Sequence, residues 1–243
     1  MAGLECKERS ETVSAPAARD SLPDAAPGST RYFVLLYCPS PYRQPLATLI
    51  AVADEIDCGR ARSMDHAVAH VRLDWWRAEL QRFALGAPEH PWLSAWLREQ
   101  PQDRSLGLER LAEAAAIDLA SARLAARTDH CLASALFVLG AKLLGIETPA
   151  PQLEQQLRAL GRYVASLEHE VSAAAPVLPD APVQPRLTPL LVWAALAERK
   201  AARRPRAAGR FDMLADNFIA WRAARRAQRG RFALVRAMDG EPR

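Results

Sequence analysis

Glycine is scarce in this sequence, at 11 of 243 residues, and no stretch alternates apolar and polar residues over the length of a convincing strand. A sheet protein draws on both, glycine for bulges and tight turns and alternation for half-buried faces. Their absence argues against a β-based fold. The four cysteines, Cys6, Cys38, Cys58 and Cys131, are scattered, with neither CxxC nor Cys/His ligand spacing. That pattern argues against a zinc site or a disulfide frame and fits reduced thiols in a cytoplasmic protein. No run approaches the roughly 20 apolar residues that a membrane span needs. Residues 1–30 lack an apolar h-region, so they do not read as a secretory signal. Rich in Ala, Pro and Ser, they are expected to form a disordered tail. The net charge of +4 is modest and is concentrated in the last third. Those arginines have no nucleic-acid reading motif around them, and nucleic acid is not expected as a partner.

What is present is helix-forming. Alanine, leucine and arginine dominate, and all three favour helices. The length suits one sizeable domain. The expectation is an all-α bundle in a single domain.

The organising stretch is Leu46 to Asp57, an apolar run that ends in three acids within four residues. Ser40 can cap a helix there, Pro41 suits its first turn, and Leu46, Ile50, Ala53 and Ile56 recur at helical spacing. Asp54 and Asp57 then lie one turn apart, close enough to share a cation. The competing view makes them the solvated end of a core helix.

Further helices follow in order. One is expected from Ser63 to Ala84, stopped by Gly86, with Ala67, Val71, Trp75 and Ala78 on one stripe and Arg72, Trp76 and Leu80 beside it. The Trp75–Trp76 pair reads as core and interface packing, and His90, just before Pro91, as a turn residue. Another helix spans about Leu106 to Leu124. Thr128 is the expected cap of the next, which carries Leu132, Leu136, Leu139 and Leu143 before Gly145. A helix after Pro151 runs to about Ala174. A proline-rich linker, Pro176 to Pro185, leads to two terminal helices. The last has an apolar stripe of Leu214, Phe218 and Trp221 backed by Arg222, Arg225, Arg226 and Arg229. It reads either as a helix packed on the bundle with its arginines in water or as a peripheral contact with an anionic membrane.

Three segments together resemble the squalene/phytoene synthase family of head-to-head prenyl synthases. Val52-Ala-Asp-Glu-Ile56 is similar to the first aspartate-rich motif of that family, Val-Ala-Asp-Asp-Ile. Arg72-Leu-Asp-Trp-Trp-Arg-Ala-Glu-Leu80 with His90-Pro91 is similar to its Leu-x-Trp-Trp-Arg-x-Glu-Leu…His-Pro segment. Ile117-Asp-Leu-x-x-x-Arg123, Cys131 and Leu136 to Gly145 resemble its central helices. The likeness runs from about Arg31 to Pro179 and weakens beyond. It implies the isoprenoid-synthase-type helical bundle, with 31–179 as the core and 180–243 as a linker and C-terminal helices that complete it.

The resemblance also implies a site in which two acidic motifs on facing helices hold magnesium, which grips a substrate diphosphate. Carboxylates alone would repel that polyanion, so bridging divalent ions are required. On the first wall the family's Tyr, Arg, Asp and Asp fall here on Ala47, Ala51, Asp54 and Cys58, with Glu55 in place of the adjacent aspartate. On the second wall, anchored on Leu178-Pro179, its Asn, Arg, Asp and Asp fall on Arg162, Ala165, Ser166 and Glu170. The remaining metal candidates are Asp54, Asp57 and Glu170, and Arg162 is the candidate phosphate contact. Loss of even one ligand is large, since unit charges a few Å apart interact by about 4 kcal/mol at an effective dielectric of 20.

Two functions follow. One is a non-catalytic binding or assembly protein of this family with degenerate metal motifs, having a protein partner or an isoprenoid or lipid ligand in the pocket. The other is a divergent magnesium-dependent prenyltransferase acting on isoprenyl diphosphates.

Overall fold

The computed structural model describes residues 25–61, 66–123, 130–146, 149–168, 184–202 and 210–231. Every regular element among them is helical, and no strand occurs among the described residues. Most of residues 1–30 and of the Pro176–Pro185 linker lie outside them, as does Thr128.

Helix α1, Thr30–Leu36, is N-capped by Ser29, whose Oγ accepts the Tyr32 N–H at 3.1 Å. Helix α2, Ser40–Ala61, carries the organising stretch and has Pro45 inside it. Proline has no N–H to give the carbonyl four residues back. That carbonyl, on Pro41, instead accepts from Gln100 Nε2 at 3.2 Å. Helix α3 is His66–Leu85 and helix α4 is Pro91–Glu99, followed by a 3-10 turn over Pro101–Leu106. Helix α5, Glu109–Arg123, starts later than its periodicity suggests, because Gly107, at φ 81°, separates it from that turn.

Helix α6, Cys131–Leu143, is apolar nearly all round and almost wholly buried, as the central helix of a bundle must be. Helices α2, α5 and α7 (Pro151–Glu168) pack around it. Its contact with α7 is close. Gly161 faces the backbone of Ala133 and Ser134, and Ser134 Oγ donates to the Arg158 carbonyl at 3.0 Å. Helix α8, Thr188–Ala202, lays Leu190 on Gly140 and packs Trp193 against Phe137, with ring centroids 5.5 Å apart. Helix α9, Arg210–Gln228, packs on α8.

The inward face differs from expectation in α3 and, in α9, leaves the apolar stripe outside. In α3 the buried stripe is Ala69, Leu73, Trp76, Leu80 and Phe83, while Ala67, Val71 and Trp75 are exposed. Both rows have helical spacing. The one with leucine and phenylalanine throughout its second half is the one turned inward. In α9 the inward face is Ala220, Ala223, Ala224 and Ala227, whereas Leu214, Phe218 and Trp221 are 61%, 55% and 47% exposed. Small side chains let α9 approach α8 closely, and its large apolar groups point away.

Among the buried carboxylates that join these helices, two have no exposed surface, Glu79 and Asp118. Glu79 in α3 is fully buried; its Oε1 accepts the N–H groups of Glu89 and His90 at 2.8 and 2.7 Å, and its Oε2 receives Arg82 at 2.6 Å. It therefore fixes the turn between α3 and α4. His90 Nδ1 accepts the Trp92 N–H at 3.3 Å and so caps α4, with its ring against Trp76 and Trp92. Asp118 in α5, also fully buried, accepts the Cys131 and Leu132 N–H groups at 2.8 and 3.0 Å. The first N–H groups of a helix lack intrahelical partners. Here a carboxylate from a neighbouring helix supplies them, and His130 at the cap position, φ 48°, makes no side-chain cap bond.

Candidate functional site

A cleft of about 80 Å³ opens where α2, α5, α6, α7 and α8 converge. Asp54 and Asp57 reach it from α2, Asp118 from α5, His130 from the residue before α6, Ala165 and Glu168 from α7, and Trp193 from α8. Leu132, Leu136, Phe137 and Val164 make its apolar wall.

The acids in this cleft are engaged by the protein itself. Asp54 Oδ2 is in direct contact with Arg31 Nη2 from α1. That oxygen makes no well-formed hydrogen bond, yet a guanidinium nitrogen lies against it, so its charge is compensated. Asp118 gives both oxygens to the start of α6. Glu168 Oε1 accepts Trp193 Nε1–H at 3.0 Å. Asp57 also interacts within the chain.

The expected site residues fall as follows. Asp54 and Asp57 line one wall, and Ala165 lies on the opposite one. Ala51 is buried and Ala47 half-buried in α2. Glu55 faces outward, 3.9 Å from Arg72, and Cys58 is a half-buried free thiol. Arg162 is exposed and does not line the cleft. Ser166 is buried, and its Oγ donates to the Tyr163 carbonyl at 2.7 Å, within its own helix. Glu170 lies outside the described residues. Sequence reasoning missed Arg31, Asp118, His130, Glu168 and Trp193. Of these, Asp118 lies in the Ile117-Asp-Leu segment of the family likeness, and Glu168 carried a local signal, sitting one turn after Ala165 on the same face.

Elsewhere, Cys38 is buried, and burial pushes its thiol up to about 11, away from reactivity at neutral pH. Burial likewise lowers the His90 pKa below the usual 6.5, with Glu79 and Glu55 opposing the shift.

The architecture, an all-α bundle whose acid-bearing helices converge on one central cleft, is that of an isoprenoid-synthase fold. The squalene/phytoene synthase family model matches residues 25–169, more than half of the chain. The protein belongs to the squalene/phytoene synthase family. Neither the curated proteins nor the solved structures gave a match.

Magnesium, which the family implies, can be tested against the donors that line the cleft. Among the described residues no group of three or more His, Cys, Asp or Glu side chains is placed to hold a metal ion. Of the four cleft carboxylates, Asp54 is committed to a guanidinium, Asp118 to helix N–H groups and Glu168 to an indole N–H, and Asp57 also interacts within the chain. Such a set does not fit a cluster of divalent ions.

Proposed function

We propose that the protein is a non-catalytic member of its family, a binding or assembly protein that works through its surfaces. The observation that carries this reading is the contact of Arg31 with Asp54. A family enzyme needs its first-motif aspartate open to a divalent ion. Here a fixed monovalent cation from α1 already neutralises it, and a second cation would meet repulsion rather than attraction. The size of the cleft supports the same reading. About 80 Å³ falls well below the ~300–1,000 Å³ of small-molecule sites. A prenyl chain would enter only if Leu136, Phe137 and Trp193 repacked, so an isoprenoid or lipid pocket is the less favoured form of the binding function.

The second reading, a divergent magnesium-dependent prenyltransferase, is favoured by one observation: Asp54, Asp57, Asp118 and Glu168 all line one cleft. Calorimetric titration with farnesyl or geranylgeranyl diphosphate, with and without magnesium, separates the two. The proposed function expects no magnesium-dependent heat. Turnover that is lost on chelation and in Asp54→Ala would overturn it.

A further inference from the structure

The face of α9 turned away from the bundle leaves large apolar side chains exposed. Helix geometry places Leu214, Phe218, Trp221, Arg222 and Arg225 on one outward strip, opposite the alanines that meet α8, and Arg229, exposed in the turn that closes the helix, follows them. Phe218 and Trp221 have ring centroids 5.8 Å apart, and the Arg225 guanidinium stands 5.3 Å from the centre of the Trp221 ring. Burial of large apolar groups is the main source of folding stability. A helix that buries alanine and exposes Leu, Phe and Trp has given that up on this face, and an external apolar phase would supply the missing burial.

We infer that this outward face of α9 docks on the surface of an anionic lipid bilayer. The charge pattern selects that partner. The strip contains no acid. The only acids between 199 and 231 are Asp212 and Asp216, against eleven Lys and Arg. Both fall on the flank toward α8, where Asp216 accepts Arg199 at 2.6 Å. Along the helix the apolar groups come first and the arginines follow. Arginine can lay its stem along an apolar boundary while its head reaches phosphate, and indole and phenyl rings suit the same boundary. Self-association through this strip is disfavoured, because two copies would bring together six arginines with no acids between them. No helix among the described residues is long and apolar enough to cross a membrane, so the contact is peripheral.

The test is flotation of the full chain with vesicles of phosphatidylcholine alone or with phosphatidylglycerol added. Two variants accompany the wild type: Phe218→Ala with Trp221→Ala, and Arg222→Gln with Arg225→Gln and Arg229→Gln. All five positions are exposed, and matching thermal melts establish that the variants fold. The wild type is expected to float with the anionic vesicles only and to be released by high salt. Each basic residue at an anionic surface contributes roughly a fivefold factor, so the triple variant should lose about a hundred-fold in partition. The double variant should lose binding without changing its salt dependence. Failure of the wild type to float overturns the inference, as does equal flotation of the variants. A wild-type dimer that the double variant dissociates, with vesicle binding absent, would assign the face to a second copy instead.

Discussion

Replacing Arg31 with methionine isolates the interaction on which the functional reading rests. Methionine keeps most of the apolar stem of arginine and removes the charge that lies on Asp54. Two consequences differ in size. The Arg31 and Asp54 side chains are 46% and 36% exposed, so solvent screens their attraction, and the stability lost should not exceed about 1 kcal/mol. The effect on cations should be larger. A divalent ion at Asp54 would stand a few Å from the guanidinium, and a +2 and +1 pair about 4 Å apart repel by roughly 2 kcal/mol even at the dielectric of water. Removing Arg31 should therefore strengthen divalent binding about 30-fold. Manganese serves as the probe, because bound and free ion are distinguished by electron paramagnetic resonance. The expected result is negligible binding by the wild type, measurable binding by Arg31→Met, and loss of that gain when Asp54→Asn is added. Equal manganese affinity in wild type and Arg31→Met would refute the argument that Arg31 occupies the cation position.

Three further outcomes are expected. Glu79→Ala removes a fully buried carboxylate from two backbone N–H groups and Arg82, and should cost about 3–5 kcal/mol. In thermal denaturation that corresponds to a fall of roughly 6–20 °C for a chain of this size, and a change below about 1 kcal/mol would contradict the role given to Glu79. Gly161→Ala would place a methyl carbon 2.8 Å from the Ala133 carbonyl carbon and 2.9 Å from Ser134 Cα, so α6 and α7 must separate. Overpacking should outweigh the ~1 kcal/mol gain in helix propensity, giving net destabilisation in urea unfolding. The His90 pKa is lowered in the folded state, so the unfolded chain takes up the proton first as pH falls. Its contribution is complete above the unfolded pKa of 6.5 and is lost as pH falls below that value through the folded pKa. Urea midpoints should therefore drop between neutral pH and mild acid, and less so in His90→Gln.

The helices could be read from the chain because their signal is local. Composition, the 3.6-residue recurrence in α2 and α6, and glycine or proline stops are properties of neighbours in sequence. Errors arose where two stripes competed, as in α3, where Val71 and Trp75 match a helical period as well as Leu73 and Trp76 do. The acids of the site were legible only in part. Asp54 and Asp57 stand one turn apart, beside the apolar stripe that the α2 pattern defines. The commitments of Asp54 to Arg31, of Asp118 to the start of α6 and of Glu168 to Trp193 are contacts between helices, and no periodicity within one helix reports on them. Ser166 shows the same limit: it stands where the family has an aspartate, and only the structure shows its hydroxyl turned back to the Tyr163 carbonyl.

The residues that carry the family likeness are largely those that join helices. Glu79 and His90-Pro91, from the tryptophan-rich segment, fasten α3 to α4. Asp118, from the central segment, caps α6 from α5. Each is a buried polar group whose removal strands backbone N–H groups, so the fold depends on it whether or not any substrate is bound. Asp54 differs, being partly exposed, placed on the wall of a cleft and paired with a side chain that any cation ligand would have to displace. Membership of the family and retention of its chemistry therefore rest on different residues in this chain. A scaffold held by Glu79 and Asp118 does not depend on the residue types at Ala47, Ala51, Cys58 and Ser166 in the same way, because none of those four positions fastens one helix to another through its side-chain charge. The match over residues 25–169 thus shows the family, and on the proposed reading the fate of its chemistry turns on Asp54 and its neighbours.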